Sequence, residues 1–231
     1  TIEKIKNGHA IILKSVIEQK FIENVKHYLF SVGRNSLPNY KPIELNAENS
    51  HRINFWDDRS YIKGCFHQFS FFPWNQDVFN FFDKMKDVYK LRNIINGQNE
   101  NKYLDNFIED GCVARLSFQF YPKGIGGLNK HSDPVGSHQM CVPLLIMSEK
   151  GKDFTSGGLF IEDESKSKIY LDDLSNPGDV ILFNALIPHG VDIIDEHKNE
   201  DWLSFEGRMM MIFAVNKIAG NNNVDESINL G

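Results

Sequence analysis

"CVARLSFQFYPKGIGGLNKHSDPVG", residues 112–136, decides how the second half of this chain folds. Over 112–122 the residues alternate with the two-residue period of a β-strand whose two faces meet different surroundings. A glycine-bearing turn follows, and the chain then presents His131 and Asp133 two positions apart. On a strand, side chains at i and i+2 share a face, so an imidazole nitrogen and a carboxylate oxygen can converge on one point. Taken alone the pair reads as two polar residues of a surface loop. Its meaning depends on what lies downstream.

Downstream the same grammar continues. "HQMCVPLLIM" (138–147) is a largely apolar run, and "GLFIED" (158–163) and "KIYL" (168–171) follow a turn-rich loop. "SNPGDVILFN" (175–184) puts a Pro-Gly turn before a strand, and "GRMMMIFAVNK" (207–217) is the last strong strand. Short, closely spaced strands with Gly, Pro and Asn between them predict an all-β sandwich or barrel. The first half reads differently. "GHAIILKSV" (8–16) predicts a strand. Ser15 with Glu18 predicts a capping box opening a helix, with Ile17, Phe21, Val25, Tyr28 and Val32 along it and Gly33 as its stop. Residues 34–50 read as loop, and residues 51–75 mix aromatics, His and Arg without clean periodicity. A second helix is predicted over Gln76–Ile95, with Val78, Phe82, Met85 and Tyr89 on one face, and 97–106 is a connector. With no convincing linker, residues 1–231 are expected to form a single domain. Within it, 1–109 is a helical and mixed flank that could supply a substrate lid, 110–217 the catalytic core, and 218–231 a tail.

Composition narrows the function. At 231 residues, 41% hydrophobic and 24% charged, the chain is long enough for a large core and reads as a soluble globular protein. Eighteen Phe predict a wide, deeply filled interior or a lined pocket. A net charge of −6 and a pI near 5.7 disfavour nucleic acid, which needs a basic face. No run approaches the roughly 20 apolar residues of a membrane span, and no secretory leader is read. Cys65, Cys112 and Cys141 show neither metal spacing nor a disulfide framework, so a reducing, cytoplasmic location is expected.

A metal site needs a third ligand, and "LFNALIPHGV" offers His189 just past a strand. Two His and one carboxylate are the facial triad of non-haem Fe(II) oxygenases, which leaves coordination positions open. Arg208 opens the last strand, where a buried guanidinium could take a carboxylate bidentately. Each residue also has a plainer reading. His189 alone suits a core histidine, and Arg208 suits half of a structural ion pair. The order is more specific than its parts. "HSD" (131–133), "GG" (157–158), "NPGDVILFNALIPHGV" (176–191) and "GRMMMIF" (207–213) together resemble the 2-oxoglutarate/Fe(II)-dependent dioxygenase superfamily.

That resemblance implies a mainly β protein: a double-stranded β-helix (jelly-roll, cupin-like) core with flanking N-terminal α-helices. It implies Fe(II) held by His131, Asp133 and His189, and 2-oxoglutarate chelating the metal with its distal carboxylate on Arg208. Many members carry Ser or Thr two residues after that arginine. Here Met210 stands there, so Tyr121 and Gln119, which share a strand face with Arg115, are the expected replacements. Asp133 departs from halogenating relatives, which have a small residue at that place. Nucleic-acid demethylases of the superfamily carry a second Arg, which "RMMMIFAVN" lacks. The expected reaction consumes 2-oxoglutarate and O2, hydroxylates an unactivated carbon of a small molecule, and releases succinate and CO2. A polar or anionic substrate is expected, because Arg52, Trp56, Arg59, His67 and Trp74 cluster in an otherwise acidic chain. The plainer reading of that cluster is a packed flank. Arg115 and His138 are further candidates for the substrate wall. Two alternatives remain: a related oxygenase acting on a protein or nucleic acid, and a non-catalytic jelly-roll binding module.

Overall fold

The computed structural model describes residues 2–108, 110–133, 135, 139–221 and 227–230. In chain order its elements are α1 (Ile2–Lys6), β1 (Ile11–Leu13), α2 (Gln19–Asn35), β2 (Ser50–Phe55), β3 (Gly64–Phe71) and α3 (Phe81–Ile95). There follow β4 (Cys112–Pro122), β5 (Gly127–Ser132), β6 (Cys141–Ile146), β7 (Gly158–Glu162), β8 (Lys168–Tyr170) and a 3-10 turn (Leu171–Asp173). The last are β9 (Val180–Asn184), β10 (His189–Asp192), β11 (Gly207–Lys217) and β12 (Ile228–Asn229). Ten strands form one strongly curled antiparallel path, β1-β9-β6-β11-β4-β3-β5-β10-β7-β8, with β2 added on β3 and β12 on β5. This is the jelly-roll core with helices outside it. Among the described residues no helix is long and apolar enough to cross a membrane.

β4 and β11 pair along their full lengths, from Cys112 opposite Lys217 to Pro122 opposite Gly207. Strand alternation then sends each residue to one side. Leu116, Phe118, Phe120, Met209, Met211 and Phe213 pack against the helices, while Tyr121 and Met210 belong to a second core inside the curl. The phenylalanines concentrate in the helix–sheet layer, where Phe81 meets Phe71 and Phe118 with ring centroids 4.9 and 5.0 Å apart. β3 is buried at all eight positions because helices cover one face and the curl's interior the other. Its outer face carries His67, Phe69 and Phe71 and its inner face Phe66, Gln68 and Ser70, so polar and apolar residues fall on both. That is why residues 51–75 show no periodicity and yet form two strands.

The helix boundaries differ from the sequence expectations. Ser15 caps nothing: its backbone is left-handed, and its N–H donates to Asp179 Oδ1 at 2.9 Å. α2 starts at Gln19 and buries Ile22, Val25, Leu29 and Gly33, one stripe of a 3.6-residue period. Gly33 is no stop. It lies inside the helix because the Phe205 ring occupies the space a side chain would need. α3 starts five residues later than expected, because the Asp77 carboxylate takes the N–H groups of Phe79 and Phe81 in a preceding turn.

Candidate active site

β5 and β10 lie side by side with His131 directly opposite His189, so both imidazoles emerge on one face of the pair. Asp133 follows the end of β5, where its N–H donates to Ala185 O at 2.9 Å. His131 Nε2 lies 3.9 Å from Asp133 Oδ1, and His189 Nε2 lies 3.7 Å from Asp133 Oδ2. One ligand atom from each of the three falls within 4.8 Å of the others. Each ring is held by its far nitrogen: His131 Nδ1 donates to Asn129 O at 2.9 Å, and His189 Nδ1 to Ile187 O at 2.8 Å. A carbonyl only accepts, so Nδ1 carries a proton in both rings and Nε2 is the atom turned towards Asp133. Burial, with His189 beside it, pulls His131 down to about 4 and keeps it neutral. Two imidazoles and a carboxylate on one side of a point are the donor set that suits Fe(II).

Residues 227–229 reach these side chains from the C-terminal end. β12 pairs with His131 and Ser132 along the β5 edge that β3 leaves free, and Ser227 Oγ donates to Asp133 Oδ1 at 2.6 Å. Nothing in the sequence marked Ser227 for this contact.

The triad opens into a cavity of about 490 Å³ with two unlike walls. Val142, Leu144, Leu159 and Phe183 make an apolar wall, while β2, β3 and β4 contribute Arg52, Asn54, Gln68, Ser70, Arg115 and Gln119. Arg59 joins the wall at its rim. Trp56, His67 and Trp74, expected on the substrate wall, do not line this cavity. His67 points the other way by strand alternation: its Nδ1 meets His51 Nε2 at 3.0 Å and its Nε2 donates to Trp202 O at 2.8 Å. Trp74 Nε1 donates to Ala47 O at 2.8 Å with its ring on Phe72. Trp56 is exposed on the turn after β2. His138 lies outside the described residues.

Arg208 is buried and makes an ion pair. Its Nε and Nη2 donate to Asp172 Oδ2 and Oδ1 at 2.7 and 3.0 Å. Asp172 comes from the 3-10 turn, also accepts the Leu159 N–H at 2.6 Å, and is accommodated by Gly158. A Cβ on Gly158, whose φ is +116°, would sit 2.5 Å from Asp172 Oδ2. The second glycine of "GG" thus makes room for a carboxylate. Arg208 Nη1 is buried without a partner. Tyr121, opposite Arg208 in the β4–β11 pair, donates its hydroxyl to Gln119 Oε1 at 2.6 Å; of these two residues, Gln119 reaches the cavity wall. Sequence reasoning missed Asp172, because "YLDDLSNPGD" contains several acidic residues and no spacing that distinguishes it.

No protein-family model matches the sequence, and it matches no curated protein. Solved structures do match. The chain is similar to a prolyl-4-hydroxylase of Pseudomonas putida, with a TM-score of 0.56 and 12% identity over 91% of this chain and 94% of that one. It is also similar to a Trichoplax adhaerens prolyl hydroxylase solved with a peptide fragment of hypoxia inducible factor (TM-score 0.53, 12% identity, 94% of this chain and 86% of that one). A third is JOX2 in complex with 2OG, Fe and JA (TM-score 0.51, 13% identity, 99% of this chain and 72% of that one). The chain therefore has the fold of the 2-oxoglutarate/Fe(II) oxygenases.

Proposed function

We propose that this protein is an Fe(II)- and 2-oxoglutarate-dependent dioxygenase that hydroxylates a carbon of a small molecule. In the proposed reaction R–H, O2 and 2-oxoglutarate give R–OH, succinate and CO2, with one oxygen atom in each oxidised product. His131, Asp133 and His189 hold the metal, which supplies O2 activation when bound. Arg208 takes the distal carboxylate of 2-oxoglutarate through Nη1, its one unpaired edge. Gln119 and the Tyr121 hydroxyl stand beside it as the polar partners that Met210 cannot provide. The observation that carries this reading is the triad, whose two Nε2 atoms are aimed by carbonyl bonds at the far side of each ring. A small-molecule substrate is supported by the cavity's volume, which falls within the range of ligand pockets.

The test is anaerobic addition of Fe(II) and then 2-oxoglutarate. A weak visible charge-transfer absorption that needs both, followed by succinate release on admitting air, is the expected result. A binding module gives neither, and that outcome would remove the enzymatic reading. Among the solved neighbours, one prolyl hydroxylase was solved with a peptide fragment, so peptides belong beside small molecules in the substrate screen.

A further inference from the structure

On the polar wall of the cavity, Arg52 and Arg115 form no ion pair among the described residues. Lys41 is bonded to Glu48, and Arg59 is held in a fork by Asp57 at 3.0 and 2.6 Å. Arg52 and Arg115 have no carboxylate partner among the described residues, although the chain as a whole is acidic, with a net charge of −6. Arg52 has one long hydrogen bond, from Nη2 to Ser60 Oγ at 3.5 Å, and its Nε is buried and unpaired. Arg115 Nε is buried and unpaired as well. Two residues beyond Arg52 on the same strand, Asn54 accepts the Ser60 hydroxyl on its Oδ1, and its Nδ2 has no acceptor. Burial, with the charge of Arg52 nearby, pulls Arg115 down to about 10.

Buried donors without partners are costly, and two like charges near one another add to the cost. Two guanidinium groups that line one wall without an ion pair are complementary to a group rich in acceptors and bearing negative charge. A guanidinium fork matches carboxylate and phosphate oxygens alike. We propose that the cavity takes an anionic substrate, with its carboxylate or phosphate seated on the guanidinium groups of Arg52 and Arg115 while the rest lies along the apolar wall of Val142, Leu144 and Phe183. The inference rests on the reading of this cavity as the substrate chamber of an oxygenase, and it names the substrate's chemical class.

The test uses the full chain and three six-carbon probes: hexanoate, hexyl phosphate and hexanamide. Binding is followed by thermal shift in wild type, Arg52→Gln and Arg115→Met. The anionic probes should bind and the amide at least about 30-fold more weakly, as expected when a buried charge loses its partner. Preference between hexanoate and hexyl phosphate names the oxyanion. Each variant should lose that selectivity, and Arg115→Met should melt no lower than wild type when ligand-free, since it removes an uncompensated charge. Equal binding of hexanamide would overturn the proposal, as would a variant that melts lower yet keeps the preference for anions. A parallel titration of 2-oxoglutarate with Mn(II) separates the two readings. Loss of its binding in Arg115→Met with none in Arg208→Ala would assign these arginines to the co-substrate and overturn the proposal. If 2-oxoglutarate binds no form of the protein while hexanoate behaves as stated, the oxygenase reading fails and the anion site stands.

Discussion

Asp172→Ala should be among the most damaging single changes in this protein. The carboxylate is buried, accepts two bonds from Arg208 at 2.7 and 3.0 Å, and accepts the Leu159 N–H at 2.6 Å. Removing one partner of a buried pair costs about 3–5 kcal/mol, because the other charge stays buried without compensation. The orphaned Leu159 N–H adds about 1–3 kcal/mol. The loss is thus at least about 4 kcal/mol, set against a total stability of about 5–15 kcal/mol for a folded domain. With a urea slope of about 2.5 kcal/mol/M, the midpoint should fall by about 1.6 M at unchanged slope. Asp172→Asn keeps an acceptor for Leu159 and should lose less. Asp172→Leu combined with Arg208→Met removes both charges and should recover most of the loss, which a double-mutant cycle measures. Saturating 2-oxoglutarate with Mn(II) should stabilise Asp172→Ala more than wild type, since its carboxylate reaches a guanidinium with no competitor. A midpoint for Asp172→Ala within about 0.4 M of wild type, roughly 1 kcal/mol on the same slope, would refute the closed pair. Arg208 would then point into the cavity instead.

Three further outcomes are expected. Arg208→Ala should weaken 2-oxoglutarate binding about 30- to several-thousand-fold with metal affinity much less affected, and Arg208→Lys should recover part of it; calorimetry with Mn(II) checks both. His131→Ala and His189→Ala should each abolish Fe(II)-dependent succinate formation while the far-ultraviolet dichroism stays that of the folded chain; turnover in both variants would remove the metal assignment. Burial pulls His67 from 6.5 to about 4, so the folded state disfavours its proton. The stability this confers is complete above about pH 6.5 and is lost as pH falls towards 4, by up to about 3 kcal/mol. Urea midpoints of wild type should fall across that window, whereas those of His67→Phe should be flatter.

Much of this protein was legible in its sequence, because much of it is local. The alternation of residues 112–122 predicts a strand and fixes which residues share its faces, and β4 occupies those residues. The two-residue spacing of His131 and Asp133, and the order of His189 and Arg208 after them, are also read without a third dimension. Residues 51–75 were opaque for a physical reason. Where a strand is covered on both sides and one cover is a polar cavity, alternation no longer separates polar from apolar. Arg52 and Arg115, both candidates in the sequence, lie on the cavity wall, whereas the same geometry sends His67 to the opposite face, which a count of aromatic and cationic residues cannot anticipate.

What tertiary structure alone decided is which groups meet across the chain. Arg208 finds Asp172 at a separation of 36 residues, and Asp133 finds Ser227 at 94. No spacing rule reaches that far, because such contacts depend on how the sheet curls and which turn its edge brings inward. The sequence by itself therefore offered the candidate triad and the strand grammar. Packing determined that Arg208 is already paired, that one of its nitrogens is buried without a partner, and that Arg52 and Arg115 line the cavity without an ion pair among the described residues.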